Sequence, residues 1–138
     1  MIRNSFKLLA TLVLSAAALG AQADTYPSRP IKVISPFPAG GATDVLTRGL
    51  AERMAKNLGQ SMIVENKAGA GTSIGAAYVS REAPDGYTIL MATNSTLVTN
   101  RYLYKELPYD PDSFAKIGMV GVGPLVLLSS PKRPFNST

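Results

Sequence analysis

The chain has 138 residues, 14 Lys/Arg against 9 Asp/Glu and a formal charge of +5, with neither Cys nor His. That length allows one domain or less. Without Cys or His, disulfides, thiolate or imidazole metal centres, Ser-His-Asp triads and Cys-His dyads cannot be built from this chain alone.

The first 23 residues read as a secretory signal peptide. Arg3 and Lys7 give a positive start, Leu8 to Leu19 is an apolar core, and Ala21-Gln22-Ala23 is a small-x-small cleavage site before Asp24. The apolar run is shorter than the roughly 20 residues of a membrane span; a buried N-terminal helix is the alternative. No Cys follows the cleavage site to carry a lipid. The expectation is a periplasmic protein, free in solution and not membrane-embedded after cleavage. Beyond that segment 12 Lys/Arg face 9 Asp/Glu with no basic run. Nucleic-acid binding would need clustered Lys/Arg, so no such partner is expected. A mild positive excess is compatible with small acidic ligands. Lacking disulfides, the exported fold must rely on an apolar core.

Ile31 to Ser35 is short and apolar and predicts a buried strand. Thr43 to Leu58 predicts a helix with an apolar stripe of Leu46, Leu50, Met54 and Leu58, widened by Val45 and Ala51 and stopped by Gly59. Ser61 to Glu65 predicts a second strand, followed by the glycine-rich "NKAGAGTS" and a short Ala-rich helix over Ile74 to Glu82. Pro84 and the "PDG" turn end that helix. Tyr87 to Ala92 predicts a third strand, Leu97 to Leu107 a segment that starts helical, and "LPYDPDSF" a loop. "KIGMVGVGPLVLLSS" predicts one or two further strands broken at Gly123-Pro124. For Tyr87 core packing is expected, and the three tyrosines of "YLYKELPYDP" suggest a flap over the sheet.

Alternating strands and helices predict an α/β fold: a parallel sheet with flanking helices and right-handed crossovers. Ligands of such sheets gather at the carboxyl ends of the strands. Three loops fall at that edge, Pro36 to Asp44, Asn66 to Ser73 and Thr93 to Thr96, all rich in Gly, Ser, Thr or Asn.

In "PFPAGGATD", Gly40 and Gly41 let a ligand approach the backbone closely, and N–H groups at a helix start favour an anion. Pro36 and Pro38 stiffen the loop. Thr43 or Asp44 is expected to cap the helix. A plain turn with a plain cap would use the same residues. The second loop, "AGAGTSIG", follows the wrong strand and carries the wrong spacing for a dinucleotide fingerprint. Neutral donors at Thr93, Asn94, Ser95 and Thr96 suit reversible capture of a carboxylate. No catalytic group, metal or cofactor is expected; Asp44 is read as a cap or a ligand-orienting acceptor.

The stretches "YPSRPIKVISPFPAGGATDVLTRGLAERM", "VENKAGAGTSIGAAYVSREAPDGYTILMAT" and "LPYDP" are similar, in order and spacing, to the Bug-type periplasmic receptors of tripartite tricarboxylate transporters. The resemblance runs from Tyr26 to about Pro131. It implies the first-domain portion of a type II periplasmic binding-protein fold, with no enzyme activity. It also implies a small organic acid anion, such as a tricarboxylate, as ligand and membrane permease subunits as partners. Carried onto this chain, the ligand-binding positions are Phe37, Ala39, Gly40 and Gly41, with Thr43 and Asp44 behind them. Thr72 and Ser73 stand nearby, where many members carry Gly-Asn, and Thr93 and Asn94 complete the set. Members run to around 300 residues. The expectation is therefore a signal peptide over 1–23, a partial N-terminal ligand-binding domain over 24–128, and a divergent or truncated tail over 129–138. The alternatives are a non-binding remnant and a small α/β enzyme acting on a carboxylate or phosphate through Asp44 or Lys67.

Overall fold

The computed structural model describes residues 25–124, 126 and 128. The expected signal peptide and the tail over 129–138 lie outside the described residues.

Three strands form one parallel sheet: β1 (Ile31–Ser35), β2 (Met62–Asn66) and β3 (Thr88–Leu90), in the order β2-β1-β3. The central strand pairs Ile31 with Met62 through Ser35 with Asn66 on one side, and Lys32 with Thr88 through Ile34 with Leu90 on the other. Flanked on both sides, β1 is the most buried element, with Ile31 and Ile34 fully enclosed. A strand covered on both faces must be near-continuously apolar, which "IKVIS" is. β2 lies one residue later than expected and β3 is shorter.

Helix α1 (Ala42–Leu58) carries the chain from β1 to β2, and helix α2 (Ser73–Val79) carries it back across β1 to β3. Crossovers between parallel strands are right-handed as a rule, and two that run in opposite directions put their helices on opposite faces of a sheet. Here α1 touches β1 and β2, α2 touches β1 and β3, and the Lys32 ammonium donates to the Tyr78 hydroxyl on α2 at 3.1 Å. After β3 come a π-helical turn (Ser95–Thr99), helix α3 (Asn100–Leu103) and a 3₁₀ turn (Pro111–Ser113).

Two expectations are corrected. The buried line of α1 is Asp44, Thr47 and Ala51, whereas Val45 and Leu46 are 64% and 50% exposed. A line of every fourth residue drifts about 40° per step around a helix of 3.6 residues per turn. At the N-terminal end of α1 the anchored Asp44 and Thr47 therefore take the inward line in place of Val45 and Leu46, while Leu50 and Met54 further along are half-buried. Second, Lys116–Pro124 forms no strand, and Ile117, Met119 and Val122 are more than three-quarters exposed. A strand needs a neighbour for its backbone groups, and none of the described elements pairs with this stretch.

The "PDG" turn packs against the N-terminal segment rather than into the core. Arg29 meets Asp85 at 2.8 Å and lies 4.1 Å above the Tyr87 ring, whose hydroxyl accepts from Ser28 N–H at 2.8 Å. Tyr26 donates to the Gly86 carbonyl at 2.9 Å and meets Tyr87 edge-on. Tyr87 thus fastens the chain entering β1.

Candidate functional site

All three strands point the same way, so the three glycine- and hydroxyl-rich loops emerge at one edge of the sheet. The chain leaves β1 toward β2 on one side while β3 lies on the other. The crevice between the loops after β1 and β3 is therefore a topological switch point.

Asp44, the third residue of α1, is only 3% exposed. Its Oδ2 accepts from Gly40 N–H at 2.9 Å and Arg48 Nε at 3.0 Å, and its Oδ1 accepts from Asn66 Nδ2 at 2.7 Å. Asn66 Nδ2 also donates to the Phe37 carbonyl at 3.0 Å, and Arg48 donates to Asn66 Oδ1 at 2.8 Å. The Arg48 hydrogen bond, then Asn66, then Gly40 N–H hold the Asp44 carboxyl down at about 2, well below the usual 3.8. This set ties the first loop to the end of β2.

The cap differs from the expectation. Gly41 is the N-cap, extended at φ −74° and ψ 166°, and no side chain caps the helix. Asp44 reaches past it to Gly40, taking that N–H out of the anion-binding set. The N–H groups of Ala42 and Thr43 have no acceptor among the described residues. They open the 17-residue α1 at its positive end. Ala39, Gly40 and Gly41 are exposed, while Phe37 and Thr43 are half-buried.

Thr72 and Ser73 come to the same edge, since Gly75 packs so closely on Pro36 that an added Cβ would lie 2.8 Å from the proline Cβ. Both are buried, at 7% and 4% exposure. The Thr72 hydroxyl pairs with that of Thr96 at 2.9 Å, and Thr72 N–H donates to the Gly69 carbonyl at 3.0 Å. Ser73 N–H donates to the Ala70 carbonyl. These two residues form a wall and offer no unengaged backbone donor. In the third loop Thr93 N–H donates to Thr96 Oγ1 at 3.3 Å, while Asn94 is exposed. Thr93 is thereby joined to Thr72 through Thr96. An open groove of about 870 Å³ adjoins the second loop on the α2 face, lined by Lys67, Ala70, Ser73, Ile74, Tyr78 and Tyr104 among others. It lies off the switch-point crevice. Lys67 there sits 4.1 Å above the Tyr78 ring and 3.7 Å from the Glu65 carboxylate.

Sequence reasoning missed Arg48, Asn66 and Ser35. The Asp44–Arg48 spacing of four was a legible signal, because i and i+4 meet on a helix. Asn66 gave no local signal, since its partners lie 22 and 29 residues away. Ser35 closes β1 and is fully buried, and its Oγ has no partner among the described residues.

Residues 46–138 match the family described as the tripartite tricarboxylate transporter family receptor. The chain is 43% identical over 129 residues to a UPF0065 protein of Bordetella pertussis, an alignment covering 94% of this chain and 40% of that protein. It is similar to the solved structure of periplasmic binding protein BugD (48% identity, TM-score 0.59, 62% of this chain and 28% of that one). It is also similar to MatC from Rhodopseudomonas palustris with bound malate (39%, TM-score 0.60, 63% and 30%). Rpa4515 of R. palustris with adipate is matched comparably (38%, TM-score 0.61, 63% and 29%). The chain spans about two-fifths of the length of the curated relatives it matches.

Proposed function

The chain belongs to the tripartite tricarboxylate transporter receptor family, and from that premise we propose that it contributes the carboxylate-binding edge of a periplasmic solute receptor. The ligand is a small organic acid anion, delivered to the membrane permease of such a transporter. The observation that carries this reading is the pair of unengaged N–H groups of Ala42 and Thr43 at the start of α1, beside the switch-point crevice. Several amides converging on one carboxylate, backed by the helix dipole, bind charge without burying a side-chain cation. Phe37 and Ala39 line the approach, Asn94 and Thr93 face it from the β3 side, and Thr72 and Ser73 form the wall behind. Gly40 and Asp44 shape the loop and touch no ligand directly. Malate and adipate, bound by two structural relatives, are both dicarboxylates, which makes a dicarboxylate the first ligand class to try. Export to the periplasm fits the family and the N-terminal leader pattern. Among the described residues no helix is long and apolar enough to cross a membrane.

An enzyme working through Asp44 is the weaker reading. A carboxylate held at about 2 and bonded to three donors is a poor proton acceptor at neutral pH.

The test is thermal unfolding with malate, adipate and citrate, and with the matching neutral diamides as controls. At a concentration 100 times the dissociation constant a true ligand adds about 2.7 kcal/mol of stability. Ala42→Pro sharpens it. Position 42 is the first residue of the helix, where proline is welcome, and Gly41 already has the extended backbone that a following proline requires. The variant folds normally, lacks one amide donor, and binds the acid about tenfold more weakly. No shift with any of the three acids would leave the non-binding remnant as the surviving reading.

A further inference from the structure

The loop between β2 and α2 follows a path that its residues resist. Gly69, Ala70, Gly71 and Thr72 have φ of 130°, 45°, 59° and 81°, four positive values in succession. Glycine tolerates this; alanine and above all β-branched threonine do not. Such a backbone persists only where its surroundings over-determine it.

The surroundings come from the segment after β3. Asn100, 2% exposed, donates from Nδ2 to the Gly71 carbonyl at 2.7 Å, the shortest contact it makes. The same amide lies 3.4 Å from Ser73 Oγ, 3.5 Å from Thr72 Oγ1 and 3.3 Å from the Tyr109 hydroxyl. Tyr109 in turn donates to the Thr96 carbonyl at 2.8 Å, and Thr96 Oγ1 pairs with Thr72 Oγ1 at 2.9 Å. The Tyr109 ring packs on Ala76 and Ala77 of α2 and against Phe114. The five side-chain members of this cluster, Thr72, Ser73, Thr96, Asn100 and Tyr109, are at most 7% exposed. Tyr109 belongs to "LPYDP", so the expected flap resolves into two parts: Tyr102 is 80% exposed, whereas Tyr109 is an internal brace.

We propose that Asn100, oriented by Tyr109, is a positioning residue that holds Gly69–Thr72 in its left-handed path and thereby fixes the Thr72–Ser73 wall of the binding edge. Its effect on binding rests on the receptor reading above; its effect on the loop does not. A buried amide that satisfies the Gly71 carbonyl leaves that backbone no competing partner and keeps the Thr72 and Thr96 hydroxyls aimed at each other. Burial strengthens the set, because a side chain of it left unpaired has no water to turn to.

The experiment measures amide hydrogen exchange at Thr72 and Ser73 in the ligand-free chain, alongside malate and adipate titrations. Asn100→Asp keeps the size but sets an oxygen against the Gly71 carbonyl. Exchange at Thr72 and Ser73 should rise about tenfold or more while the β1 amides exchange as before. Tyr109→Phe, which removes only the hydroxyl, should act in the same direction with smaller size, and it carries the test if Asn100→Asp does not fold. The rescue is Ala70→Gly, which relieves the positive φ of 45° at that position and deletes no hydrogen-bonding side chain. In the Asn100→Asp background it should restore part of the lost thermal midpoint, whereas strictly additive effects overturn the proposal. Exchange unchanged at the loop, or raised equally across β1, also overturns it. If neither acid binds the unsubstituted chain while Asn100→Asp still frees the loop selectively, the brace stands and the receptor reading falls.

Discussion

Three donors converge on the Asp44 carboxylate, and only one of them, Arg48, carries charge. The consequence is a pH dependence of definite sign. The folded carboxyl titrates at about 2 and the unfolded one near 3.8, so on acidification the unfolded chain takes up the proton first. The contribution of Asp44 is complete above about pH 4 and drains away as pH falls toward 2. Thermal midpoints recorded over that window should therefore drop more steeply for the unsubstituted chain than for Asp44→Asn. Parallel curves would mean that the three donors do not discriminate between the two protonation states. Of these relationships the sequence disclosed the acid at the helix start and its i+4 arginine. It did not disclose that the acid turns inward, because Asn66 and Phe37 reach it only once β1 and β2 are paired.

Two glycines in two helices predict opposite outcomes for one substitution. Gly75 of α2 sits against Pro36 and the Lys67 carbonyl, where a new Cβ would lie 2.8 and 3.0 Å from atoms that cannot swing aside. Gly75→Ala should cost about 1–3 kcal/mol and push the first and second loops apart. Gly49, mid-way along α1, is exposed, and an added Cβ meets nothing within 4 Å. Gly49→Ala should stabilise by about 0.5–1 kcal/mol, since glycine loses the most freedom on entering a helix. Denaturant titration of both variants decides the pair; equal signs would refute the packing of α2 on the first loop. The elements themselves were legible: β1 to the residue, α1 to within one residue, the left-handed stop at Gly59 as expected. Their facing was not. Hydrophobic spacing put Leu46 toward the sheet, but at that end of α1 a buried carboxylate that must keep its donors takes the inward line instead.

At the scale of the molecule, the described residues bury little apolar bulk: Ile31, Val33, Ile34, Met91 and Tyr109, with three alanines. Val45, Leu46, Ile63 and Ile74 remain about half exposed or more, and β2 and β3 each leave one side unpaired among the described elements. Open edges and exposed apolar groups promote association. The chain on its own should bind a hydrophobic dye and sediment as concentration-dependent oligomers. Ile63→Lys, on the unpaired edge strand, should reduce both at a stability cost within about 1 kcal/mol. Undiminished self-association in that variant would move the contact away from β2. The alternation of strand and helix, the parallel sheet and the placing of three loops at one edge were determined by the sequence alone. Those features follow from local periodicity and from the fixed hand of the crossovers. Which backbone N–H groups at that edge stay unengaged and which are taken by Asp44 and Thr96, and which carbonyls are taken by Asn66 and Asn100, was decided only by the tertiary structure. Hydrogen-bond partners dozens of residues apart meet when the strands register and the helices dock, and no property of the linear chain measures that distance.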